Sequence, residues 1–207
     1  MDFALFLRGL IIGFSIAAPV GPIGVLCIRR TLAEGRAYGL VSGLGAATAD
    51  ATYGTIAALG LTILSSLLVN QQTWLRLIGG AYLCYLGYKT FRAKPAARSV
   101  EAKGRGLISA YASTLFLALT NPMTILSFAA IFAGLGAGAA GGGVIGALLI
   151  VIGVFTGSCA WWLILVSFTS IFRSQLNTVG LGWVNRISGT IIAAFGVVVL
   201  YGLIMSA

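Results

Sequence analysis

The sequence predicts an all-α integral membrane protein: six transmembrane helices forming two inverted three-helix repeats, with broken first and fourth helices. Three observations predict this. The chain is too poor in charge to build a water-facing surface, its apolar residues fall in six runs, and the second half repeats spaced residues of the first.

Of the 207 residues, 59% are hydrophobic and 8% are charged. A soluble domain carries about 25% charged residues, so lipid must solvate most of this chain. The apolar runs fall at about 3–28, 38–68, 74–91, 107–134, 143–172 and 183–205. Each is long enough, or nearly so, for the ~20 residues that cross the hydrocarbon core. Together they use the whole length and leave no soluble domain.

The basic residues set an expected orientation. The connections after the first, third and fifth runs hold Arg29, Arg30, Arg36, Lys89, Arg92, Lys94, Arg98, Lys103, Arg105, Arg173 and Arg186, 11 of the 13 Lys and Arg. Arg8 and Arg76 remain for the other face. Short basic loops stay cytoplasmic, so both termini are expected outside and residues 92–105 inside. Asp2 and Arg8 make a poor secretory leader, and residues 3–28 read as the first span, with removal as the lesser alternative. Arg29 and Arg30 read as headgroup anchors, with a gate or substrate contact as the alternative.

The repeat gives the domain plan. Pro22 recurs as Pro122. Gly45, Thr48, Asp50 and Tyr53 align with Gly153, Thr156, Ser158 and Trp161 at an offset of 108. Trp74, Ile78, Gly80 and Gly87 align with Trp183, Ile187, Gly189 and Gly196 at an offset of 109. The expected units are a first three-helix repeat over 1–91, a cytoplasmic linker over 92–105 and a second repeat over 106–207. Three is odd, so the halves must be inverted. Inverted repeats characterise secondary transporters, whose sites lie near the bilayer midplane at broken helices.

Candidate site residues follow from that plan. In Ala-Pro-Val-Gly-Pro at 18–22, Pro19 and Pro22 lack a backbone N–H and oppose a continuing helix, and Gly21 adds freedom. Asn121 and Pro122 mark the matching break. Backbone groups freed there cannot face lipid, and half-helix N-termini offer N–H groups to an anion. The bland reading is a structural kink. Asp50 is the one acid deep in a span; a carboxylate there costs roughly 2.5–3.5 kcal/mol on the lenient insertion scale, which suggests proton exchange, contact with a substrate ammonium, or both. A structural hydrogen bond is its bland alternative. Thr48, Tyr53, Ser158 and Trp161 surround the same repeat position as weaker substrate contacts, each explicable as packing. Gly9 and Gly13, Gly39 and Gly43, and Gly153 and Gly157 have the spacing that lets helices approach closely.

Other chemistries find little footing. Cys27, Cys84 and Cys159 lie apart in apolar runs with no CxxC pair, and the chain has no histidine, so neither a disulfide nor a metal site is expected. No phosphate-binding loop or nucleophile motif occurs, so no enzyme, cofactor or ATP hydrolysis is expected. The net charge of +9 sits in loops rather than on a basic face with aromatics, which argues against nucleic acid.

Three blocks resemble a known family. APVGPIGVLCIRRTLAEGRAYGLVSGLGAATADATYG at 18–54, RLIGGAYLCYLGYKTFR at 76–92 and LTNPMTILSF at 119–128 are similar, in order, to those of LysE-family translocators, which include amino-acid exporters of the homoserine/threonine type. The family pattern falls here on Pro19, Gly21 and Pro22, on Gly43, Gly45 and Asp50, and on Asn121 with Pro122. Ile23 and Gly24 stand where many members have Asn or Gln after the Pro-Gly-Pro-like turn, a departure that bears on substrate. The resemblance implies inner-membrane export of an amino acid or related small metabolite, expected here to be driven by protons. The alternatives are a divalent-cation exporter of the wider superfamily and a non-transporting scaffold. The oligomeric state, a homo-oligomer included, stays open.

Overall fold

In the computed structural model, residues 2–19, 21–58, 72–93, 104–121, 124–125, 127–128, 143–172, 174 and 178–205 are described. They form seven helices and no strand: α1 Asp2–Ala17, α2 Pro22–Ala33, α3 Arg36–Ala58, α4 Gln72–Phe91, α5 Gly104–Leu119, α6 Gly143–Phe172 and α7 Thr178–Met205. Helix α6, with 30 residues, and 25 residues of α7 are each long and apolar enough to cross a membrane; α5 is a shorter apolar helix.

The first apolar run is broken where its prolines lie. Helix α1 stops at Ala17, α2 starts with Pro22 at its first position, and the two helices are set at 79° to each other. Pro at that position costs nothing, because the first N–H of a helix has no partner anyway. Thirteen residues later the chain reverses at Gly35. The N–H groups of Glu34 and Gly35 both return to Arg30 O, and Gly35 has φ 117°, a left-handed conformation that suits glycine at a helix end. Helix α3 then begins at Arg36.

The fourth apolar run also stops early. Helix α5 ends at Leu119, and the N–H groups of Thr124 and Ile125 both bond to Asn121 O. Helical bonding therefore restarts with Asn121 as its cap, a role its side chain suits. Pro122 lies outside the described residues.

Close backbone contacts fix how the helices run. A Cβ on Gly9 or Gly13 of α1 would collide with the carbonyls of Ile150 or Val154 on α6, and one on Gly153 or Gly157 with those of Phe6 or Leu10 on α1. The glycine pairs thus mesh, and α1 and α6 run parallel. Helices α3 and α5 also run parallel: Gly45 faces Tyr111 O and Leu115 N, and eight residues later Tyr53 OH bonds to Leu119 O. Helices α3 and α6 run antiparallel, with Gly43 against Trp162 and Gly54 against Val154. Helices α4 and α7 are antiparallel too, Gly80 meeting Gly196 O and Gly189 meeting Gly87 O. Such contacts let dispersion act between backbones where lipid gives no hydrophobic drive.

Helix α2 sits inside this frame, touching α3, α6 and α7. Leu26 and Cys27 are fully buried in the main core with Ala46, Ala47, Leu117 and Trp162. A second cluster joins Tyr53, Ile125, Phe128, Ile150 and Val154.

Candidate functional site

Asp50 lies in the seventh position before Ala57 on α3, buried at 5% exposure. The hydroxyl of Ser158 on α6 donates to Asp50 Oδ2 at 2.7 Å, and Trp162 Nε1 donates to Ser158 Oγ at 3.1 Å. Ser158 and Trp162 are four apart, so one helix face presents both. The antiparallel register of α3 and α6 brings that face to Asp50. The result is a buried relay from indole to hydroxyl to carboxylate.

Asp50 opens on one cavity of about 60 Å³. Both breaks line it: Pro19, Gly21 and Pro22 from the first, Asn121 and Thr124 from the second, with Ile23, Gly24 and Trp162 beside them. Gly21 caps α2 without a side-chain hydrogen bond, so the opening turn of α2 has N–H groups with no intrahelical partner. Asn121 Nδ2 donates to Thr124 Oγ1 at 3.0 Å. Five predicted residues, Asp50, Pro19, Gly21, Pro22 and Asn121, therefore border one space although Pro19 and Asn121 are 102 positions apart. The volume is well under the ~300–1,000 Å³ of small-molecule sites. It has room for water but not for a metabolite unless the helices part.

The weaker candidates divide. Ser158 bonds Asp50 directly. Tyr53 donates to Leu119 O, the last carbonyl of α5, and so holds the edge of the second break. Thr48 bonds within its own helix to Leu44 O at 2.9 Å and accepts from Tyr111 OH at 3.0 Å, away from the cavity. Trp161 packs edge-on against Phe14, with ring centroids 5.4 Å apart. The neighbouring Trp162 lines the cavity instead. The repeat alignment pointed at Trp161; the i, i+4 spacing from Ser158 was the signal for Trp162.

Arg30 was read as a headgroup anchor, and the structure places it differently, at 7% exposure. It donates to Ser42 Oγ at 2.8 Å, Thr114 Oγ1 at 2.7 Å, Ala110 O at 3.0 Å and Ser113 Oγ at 2.8 Å. Helix α2 is set at 79° to α1. Its end carries Arg30 between α3 and α5 rather than out to the surface. Arg29 pairs with Glu34 at 2.5 Å and donates to Asn185 Oδ1 at 3.0 Å. Among the described residues, no group of three or more His, Cys, Asp or Glu gathers as metal ligands would.

The family model described as LysE type translocator matches residues 14–203. A candidate amino acid efflux protein of Bacillus subtilis (strain 168) is 30% identical over 197 residues, 93% of each chain. The threonine efflux protein of Escherichia coli (strain K12) is 25% identical over 190 residues, 86% of this chain and 88% of that one. The threonine efflux protein of Salmonella typhimurium has the same identity and coverage. No solved structure matches.

Proposed function

Because the chain belongs to the LysE type translocators, a family of membrane transporters, we propose that it is a six-span secondary transporter. It exports an amino acid across the inner membrane and couples that export to proton entry through Asp50. A threonine-like substrate is the first to test, since two relatives of matching length are named for threonine efflux.

One observation carries the reading: Asp50 bonds Ser158, and the two are 108 positions apart, the offset that relates the second and fifth spans. A residue touches its own repeat equivalent only at the two-fold axis relating the halves. Cys84 and Ala193 meet in the same way, Sγ to carbonyl at 3.9 Å, with a separation of 109, the offset of the third and sixth spans. The remaining contacts fit the same symmetry. Gly45 faces Tyr111 O and Leu115 N as Gly153 faces Phe6 O and Leu10 N. These pairings support two inverted three-helix repeats, 1–91 and 106–207, with Asp50 on their axis and so at the bilayer centre. There it faces both breaks and is placed to exchange between the two sides.

The driving force suffices. One proton crossing 100 mV gains about 2.3 kcal/mol, and one pH unit adds about 1.4 kcal/mol. Together these support a gradient of roughly a few hundredfold for a neutral substrate. The test is threonine flux in proteoliposomes under an imposed pH gradient. Wild type should respond to the gradient and Asp50→Asn should not; equal responses would remove Asp50 from the coupling. Orientation is tested separately. An impermeant thiol reagent outside intact cells should label Ser206→Cys and spare Ser99→Cys in a cysteine-free background. The reverse pattern would invert the topology.

A further inference from the structure

Another polar cavity lies at the far end of α2 from Asp50. It measures about 350 Å³ and is lined by Arg29, Arg30, Glu34, Lys89, Thr90 and Ser109, among others. Three cations face one carboxylate. That carboxylate is committed to Arg29 in the one ion pair found among the described residues. All four acceptors that meet Arg30 are neutral oxygens. Lys89 is exposed and rests over the Tyr85 ring at 5.9 Å.

A buried guanidinium hydrogen-bonded only to neutral acceptors is costly, and the carboxylate near it, Glu34, is paired directly with Arg29 rather than with Arg30. A structural clamp between α2, α3 and α5 would need only neutral polar side chains, and it would not need Lys89 and Arg29 turned to the same space. We propose that this cavity is a vestibule that binds the carboxylate of the outgoing substrate before it reaches Asp50. This rests on the export reading and deepens it. The lining residues lie at the basic connections expected to be cytoplasmic, so the vestibule meets substrate from inside the cell. Its volume is within the range of small-molecule sites, whereas the space at Asp50, about 60 Å³, is too small for a metabolite. A zwitterion thus finds positive charge first for its carboxylate, then a carboxylate for its ammonium.

The shared chemistry is an anionic oxygen cluster, which a lipid phosphate also carries, so the test separates the two. Ser109→Cys in a cysteine-free background places a thiol in the vestibule. It is reacted, in nanodiscs, with anionic and cationic methanethiosulfonates of similar size. The ratio of their rates, normalised to that for 2-mercaptoethanol, cancels any change in the thiol itself. Focused positive charge should raise the ratio about tenfold or more. Lys89→Gln and Arg30→Gln should each lower it; Lys89 is exposed, so that variant tests the idea even if Arg30→Gln fails to fold. L-Threonine should slow labelling and L-threoninamide should not, equally in phosphatidylcholine and in discs containing phosphatidylglycerol. A ratio near one, or protection by the amide as good as by the acid, overturns the vestibule. Protection by phosphatidylglycerol but not by threonine assigns the charge to lipid and overturns the substrate role. The pH-gradient flux assay reads the export mechanism independently, so failure of one is not failure of the other.

Discussion

In the proposed inverted repeat, the two halves of the chain share a scaffold and differ in chemistry. Gly45 and Gly153 let their helices press on neighbours in matching ways, yet the equivalent positions beside them hold Asp50 in one half and Ser158 in the other. The first break is built on two prolines and a bend of 79°; the second is built on Asn121, which caps the restart and ties Thr124. Packing needs both halves to fit the same neighbours, so it keeps them alike. A site for one asymmetric substrate needs only one carboxylate. A second acid opposite Asp50 would set two charges against each other in a medium that already penalises one.

The sharpest way to break that comparison is to move the acid. Asp50→Asn should bring pH-driven threonine flux in proteoliposomes down to that of protein-free vesicles. Adding Ser158→Asp to Asp50→Ser should restore a measurable part of it, because both side chains meet at one point. No recovery in the swapped protein, at matched reconstitution, would mean that the surroundings of Asp50 matter as much as its charge. Next in size is the scaffold. Gly13→Ala puts a methyl into the Val154 carbonyl, and overpacking of this kind typically costs about 1–3 kcal/mol. Thermal unfolding in detergent should register it as a lower midpoint. Gly21→Ala, with φ −96° and nothing within 4 Å of a new Cβ, should leave that midpoint unchanged. Equal losses would show that the glycine contacts are not what joins α1 to α6.

Pro22→Ala and Pro122→Ala should each lower export more than membrane level, since a restored N–H lets a helix continue through the break. Export at the wild-type rate in both would make the breaks incidental. The smallest effect is expected from Tyr53→Phe. It removes one bond to Leu119 O and should cost about 0.5–1.5 kcal/mol, read in the same unfolding assay. Because Leu119 edges the second break only, its effect on flux should be smaller than that of either proline change.

How much of this could be read beforehand depended on whether the information was local. Proline opposes a helix that continues through it but suits a helix's first position, so the stop at Ala17 and the restart at Pro22 were legible from residues 18–22. Asp50 stood out because acids are few and the others lie outside the runs. The register of α3 on α6 was legible only through the repeat. That alignment found Ser158, but it named Trp161 where the helix face presents Trp162. Arg30 was not legible. A basic residue just after an apolar run looks the same whether the helix emerges into headgroups or bends inward, and only the bend angle decides.

The meshed glycines of α1 and α6 have a mechanical consequence. Two helices whose backbones interlock cannot slide past each other without climbing over carbonyls, so they behave as one beam. Helices α3 and α5, pressed together at Gly45, form another. Each beam takes one helix from each sequence half, so the moving parts of a rocking cycle would not be the two repeats at all. They would be crossed pairs bearing on one another along α3 and α6, with Asp50 at the fulcrum of the proposed cycle. A group at the fulcrum would hardly travel while the arms swing, so in the proposed cycle one carboxylate would be presented to each side of the membrane in turn without being carried across.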